Sequence, residues 1–171
     1  GTAGHKYGSI RILAEEIKSG KDDTVFLTVE GRNMTTKDWM GKGDHYLSFL
    51  RQRGDGAFDE VMKTEVKKGT KDANWGQLKF NMLRLCLGNM NAPIKIQLWD
   101  WNSVSDPTFL GEVATTLAEM QSTPKTLMTK NPQGKDKEKN RGDIVITDCK
   151  IHREATFLQY IQSGLNMEVV V

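Results

Sequence analysis

The chain has 171 residues, room for one ordinary domain and too short for two full ones. Hydrophobic residues at 37% and charged residues at 27% allow a real core and exclude a disordered tail. Twenty-four Lys and Arg against 22 Asp and Glu leave +2, which excludes a globally basic nucleic-acid binder. Uninterrupted apolar runs reach three residues, far below the ~20 of a membrane-spanning helix. No signal-peptide pattern opens the chain, and position 1 is Gly rather than Met, which suggests a piece of a longer protein. Cys86 and Cys149 are too few for a disulfide framework, so a reducing, cytosolic setting is expected.

Alternation with period two runs through the sequence in chain order. Residues 9–14 place Ile10 and Ile12 on one face, and 24–30 set Val25, Leu27 and Val29 against Phe26, Thr28 and Glu30. Further strands are predicted over 46–50, 62–67, 77–83, 93–99, 110–115 and 143–151. The order Ile-Lys-Ile-Gln-Leu-Trp over 94–99 is the clearest case of one face buried and one wet. Pro93 before it is tolerable, since a first strand residue need not donate to the ladder. Eight strands separated by Gly-, Asn- and Asp-rich turns predict an all-β fold, an antiparallel eight-stranded β-sandwich. Helical signal is thin: one or two turns over 116–121 before Pro124, and a short amphipathic helix near the C-terminus over 154–162. Residues 130–141 read as a solvated, mixed-charge loop. The terminal run Met167-Glu168-Val169-Val170-Val171 reads as the opening strand of a following domain, because native domains seldom finish on an unpaired apolar edge.

Catalytic signals are weak, and no enzyme activity is expected. His5, His45 and His152 show no zinc-site spacing, there is no Gly-x-Ser-x-Gly elbow, and Gly41-Lys42-Gly43 is too short to cradle phosphate. Asn33-Met34-Thr35 matches a glycosylation acceptor, a triplet that arises by chance and that a cytosolic chain would not use. Two acidic loops carry more. Asp38 and Asp44 stand six residues apart across a glycine turn between two strands. Asp100, Asn102, Ser105, Asp106 and Thr108 follow the clean strand 94–99. Calcium takes six to eight oxygens, mostly carboxylate and carbonyl, and two such loops at one end of a sandwich could supply them.

The pattern Asp38-x-x-Gly41-x-x-Asp44-x-Tyr46, then Asn74-Trp75, then Asp100-x-Asn102…Leu110-Gly111-Glu112, resembles the C2 domain of calcium-dependent lipid binders. With Ile12-Leu13-Ala14-Glu15-Glu16, Lys63-Thr64-Glu65-Val66 and Phe157-Leu158-x-Tyr160-Ile161-x-x-Gly164, it resembles in particular the second C2 domain of the copines. The likeness implies leader or added residues over 1–7, a C2 domain over 8–152, and over 153–171 a linker with the first strand of a von Willebrand factor type A domain. It also implies a cytoplasmic protein that moves to the inner face of the plasma membrane and binds anionic phospholipid when calcium rises.

The resemblance assigns calcium ligands to Asp38, Asp44 and Asp100, with the Lys37 carbonyl, Asn102, Ser105, Asp106 and Thr108 as helpers. The family's cup takes two aspartates from the first loop and three from the later one. Asn102 and Thr108 stand where two of those acids should be, and Asp106 lies two residues from the last. Affinity follows ligand charge, so a weak, one-ion site is expected. By the family's mechanism Trp39, Met40, Trp101 and Val104 become the apolar tips that touch membrane. Lys63, Lys67, Lys68, Lys71 and Arg51 become an anionic-lipid patch, diluted by Glu65 and Asp72. The missing acids leave an alternative open: a calcium-independent protein-interaction domain whose metal site has degenerated.

Overall fold

The structure is a computed structural model, and it describes residues 23–36 and 42–153. Nine strands are described: β1 (Thr24–Arg32), β2 (Gly43–Gln52), β3 (Phe58–Lys63), β4 (Lys67–Thr70), β5 (Ala73–Asn81), β6 (Ile94–Asp100), β7 (Thr108–Thr115), β8 (Lys125–Lys130) and β9 (Asn140–His152). Two short helices interrupt them, α1 (Met82–Cys86) and α2 (Leu117–Met120). The strands form one curled antiparallel sheet in the order β3-β2-β6-β7-β8-β9-β1-β5, with β4 pairing β2 off that path. β7 and β8 meet through a single pair, Glu112 opposite Lys130. The sheet therefore folds over at that seam into the two layers of a β-sandwich.

The alternation predicted from sequence is what builds the core. In β1, Val25, Leu27 and Val29 are buried while their neighbours are half-exposed. In β6, Ile94, Ile96 and Leu98 do the same, and Asp100 continues their inward row. Leu47 and Phe49 of β2 and Ile144 and Ile146 of β9 close the core, with the Phe49 and Phe80 rings edge-on at 5.0 Å. Full burial of each such side chain contributes about 1.5–3 kcal/mol.

Two expected strands need correction, and β8 and α1 were not expected. The single strand expected over 62–67 is two, β3 and β4, broken where Thr64 takes over the ladder. Its N–H donates to Leu47 O at 2.9 Å, and its Oγ1 accepts the Leu47 N–H at 2.9 Å. The strand expected over 77–83 stops at Asn81, whose side chain accepts the Arg84 N–H at 3.1 Å and caps α1. Strand β8 shows no clear apolar alternation because its inward positions are Leu127 and Thr129. The Thr129 hydroxyl donates to Gly142 O at 2.8 Å instead of offering an apolar side chain. The described helices lie mid-chain, α2 within the expected 116–121. The strand at 9–14 and the helix at 154–162 lie outside the described residues.

Candidate functional site

Strand direction decides which loops meet. β1, β6 and β8 end, and β2, β5, β7 and β9 begin, at one end of the sandwich. Residues 33–36 and 42, and loops 71–72, 101–107 and 131–139, therefore share that end, joined there by β4. The root of loop 33–42 is fixed from several sides. Asn33, at φ 53°, donates its N–H to Asp72 Oδ1 at 2.9 Å. The Met34 N–H reaches Lys71 O at 2.9 Å and the Thr35 N–H reaches Arg141 O at 2.8 Å. Buried His45 donates from Nε2 to Thr35 O at 2.9 Å, and its Nδ1 is buried without a partner among the described residues.

The structure brings Asp44 and Asp100 together. Asp100 stands opposite His45 on one side and Thr108 on the other, and is buried. Its Oδ1 accepts the Asp44 N–H at 3.0 Å, and the Trp101 N–H returns to Asp44 O at 2.7 Å. Thr36 Oγ1 lies 3.4 Å from both Asp100 Oδ2 and Lys42 O, and its one proton can serve a single acceptor at a time. The Asp44 carboxylate accepts the Gly69 N–H at 2.8 Å. Each acid is thus held by backbone donors, which satisfies its charge without neutralising it.

The other loop oxygens spread outward from this pair. Thr108 and Asn102 are half-buried, and Ser105 and Asp106 are exposed. Asp106 O accepts from Asn102 Nδ2 and Ser105 Oγ, each at 3.4 Å. Among the described residues no group of three or more His, Cys, Asp or Glu side chains lies close enough to hold a metal ion. The carboxylates brought together at this end are Asp44 and Asp100, with neutral oxygens around them, where calcium takes six to eight oxygens. Lys37, Asp38, Trp39 and Met40 lie outside the described residues.

Val104 is 95% exposed at the tip of loop 101–107. Trp101 is half-buried, with Lys68 Nζ 5.0 Å from its ring centroid. Among the basic residues, Lys67, Lys68 and Lys71 share this end with the acids. Lys67 pairs with Glu65 at 2.7 Å, and Lys68 and Lys71 are exposed. Lys63 stands opposite Ser48 and Lys67 opposite His45, positions three apart on β2, so no single lysine face forms. Lys63 pairs with Glu60 at 3.5 Å. Arg51 is not brought to this end. It sits six residues beyond His45 on β2, roughly 20 Å away at strand rise, and donates to Leu83 O at 3.4 Å.

Gly69, Thr36 and His45 were not picked out from the sequence. No spacing links Gly69 to Asp44, because the pairing of β4 with β2 is what joins them. The Trp75 ring is buried and donates to Glu65 O at 3.0 Å. Trp99 packs on the outer face of β6, 5.2 Å from the Phe109 ring.

Solved structures repeat this architecture. One described as BON1-C2B superposes with a TM-score of 0.69 at 19% identity, covering 81% of this chain and 98% of its own. A C2 domain of plant Extended Synaptotagmin 1 gives 0.60 at 18% identity, covering 80% and 98%. At such identities the likeness is one of fold. The family model described as the C2 domain matches residues 23–132, from the start of β1 to just past β8. The chain belongs to the C2 domain family.

Proposed function

We propose that this domain binds anionic phospholipid surfaces peripherally, through the loop end that carries Asp44, Asp100 and Val104. C2 domains are membrane- or protein-binding modules, often calcium-dependent, and catalysis is not their role. The observation that carries the reading is Val104, an aliphatic side chain 95% exposed at the tip of a loop. Moved from water into the acyl boundary, such a side chain contributes about 1.5–3 kcal/mol. Lys68 and Lys71 are exposed at the same end and add on the order of 1 kcal/mol each near an anionic leaflet, less in salt. That sum gives reversible attachment. In this reading Trp39 and Met40 are further tips, and Trp101 supports the loop from beneath Lys68.

Calcium enters the proposal as an assistant. Asp44 and Asp100, with Asp38, would hold one ion weakly, helped by the Lys37 carbonyl, Asn102, Ser105, Asp106 and Thr108. When bound, the ion offsets the acids' charge and bridges to headgroup phosphate. The motifs around Asp38, Asp44 and Asp100 support a copine-like second C2 domain. Such a protein is cytoplasmic, reaches the inner face of the plasma membrane, and carries a type A domain as its covalent neighbour.

Co-sedimentation with phosphatidylserine vesicles, with and without about 1 mM calcium, tests this. Val104→Asp is expected to weaken binding about tenfold with the fold intact. Asp44→Asn is expected to remove the calcium-dependent part alone. Vesicle binding unchanged by Val104→Asp would sink the loop-end reading.

A further inference from the structure

The tip of loop 101–107 reads Ser103-Val104-Ser105-Asp106, and all four residues are exposed. It lies between the ends of β6 and β7, outside the sheet ladder. The two serines differ in their surroundings. Ser105 Oγ is engaged by Asp106 O at 3.4 Å, whereas the Ser103 hydroxyl makes no hydrogen bond among the described residues. The Asp106 backbone carbonyl is used within the loop by Asn102 and Ser105, and its side chain is exposed three residues after Ser103.

From this arrangement we propose that Ser103 is a phosphorylation site for an acid-directed serine/threonine kinase, and that its phosphate switches off membrane attachment. The switch rests on the membrane reading above; the modification site does not. A kinase with a basic substrate groove needs a free hydroxyl, a segment outside regular structure and a carboxylate a few residues on. Ser103, loop 101–107 and Asp106 supply those three. In the transfer, Ser103 Oγ attacks the γ-phosphorus of ATP and the bond from that phosphorus to the β,γ-bridging oxygen breaks. ADP leaves, and the hydroxyl proton passes to the kinase's base.

The phosphate adds close to two negative charges one residue from Val104. Val104 then cannot enter the acyl boundary without bringing a strongly hydrated dianion to it. The same dianion is repelled by the anionic headgroups that Lys68 and Lys71 attract. Both effects act against attachment and neither disturbs the core, because the loop tip is already in water.

The purified protein is incubated with ATP and an acid-directed kinase, mapped by mass spectrometry, and then titrated with phosphatidylserine vesicles in the calcium concentration that supports binding. One phosphate is expected on Ser103, absent in Ser103→Ala and much reduced in Asp106→Asn. The phosphorylated protein is expected to bind vesicles at least about tenfold more weakly, while kinase-treated Ser103→Ala binds like untreated protein. No phosphate at Ser103, or a phosphoprotein that binds as tightly as before, would overturn the proposal. Unmodified protein that ignores the vesicles would sink the membrane reading and the switch with it. In that case phosphate on Ser103 would still establish the modification site by itself.

Discussion

The Asp44 carboxylate accepts the backbone N–H of Gly69 at 2.8 Å, across 25 residues of chain. Gly69 sits at φ +63° with nothing within 4 Å of its missing Cβ, so backbone preference rather than space explains a glycine there. Through this bond, and through the Trp101 N–H on Asp44 O at 2.7 Å, one residue ties β4 and loop 101–107 to the start of β2. Asp44→Ala should lower stability by about 1–2 kcal/mol, since it removes a charge-assisted acceptor. Asp44→Asn, which keeps an acceptor oxygen, should lose less. Urea midpoints measure both, and equal losses would mean that a neutral amide oxygen cannot replace the carboxylate and that its charge carries the whole bond.

Two glycines should respond to the same substitution in opposite ways. A Cβ on Gly43 would stand 2.7 Å from His45 Cε1 and 2.9 Å from Thr36 Oγ1. Gly43→Ala should therefore cost about 1–3 kcal/mol through forced displacement of the buried imidazole. Gly54 has open space around it, and Gly54→Ala should be neutral or stabilising by up to about 1 kcal/mol. Thermal unfolding of the pair compares them directly.

Thr129 is fully buried and donates to Gly142 O at 2.8 Å, holding β8 to β9. Thr129→Val keeps the shape and leaves that carbonyl without its partner. A loss of about 1–3 kcal/mol is expected in denaturant. Thr126, exposed on the same strand, should tolerate the same change within about 0.5 kcal/mol.

Burial, reinforced by the charge of Asp148, pushes the Cys149 thiol up to about 11. Its folded-state pKa lies above the unfolded value, so the protonated thiol is the form that folding favours. That contribution is fully present below about pH 8.5 and fades as pH rises toward 11. Alkylation of the folded protein by iodoacetamide should stay slow through pH 9 and accelerate only near the upper value. Full reaction at about pH 8 would show a thiol of ordinary acidity.

Much of the fold was legible in the sequence, and some of the candidate site. The rows Val25-Leu27-Val29 and Ile94-Ile96-Leu98 face inward as their spacing requires, because a strand's side chains alternate whatever its partner. That the loops carrying Asp44 and Asp100 could lie at one end of the sandwich was legible from the order of strands and turns, whereas the contact between the two residues was not. β8 was not legible, because Thr129 fills a core position through a hydrogen bond rather than through apolar area. Nor was the break at Thr64, where one hydroxyl both accepts from Leu47 and donates to Glu65 O.

The fold class, the family likeness and the two acidic loops follow from alternation and motif spacing, which are local properties of the chain. Tertiary structure decided which groups those loops meet. It placed Gly69 on Asp44 and Lys68 over Trp101, and it left Arg51 at the other end of β2 from Lys67 and Lys68. Period two says which face of a strand a residue occupies. The partner across the sheet depends on register and on where a strand breaks, and those follow from the packing of the whole sandwich.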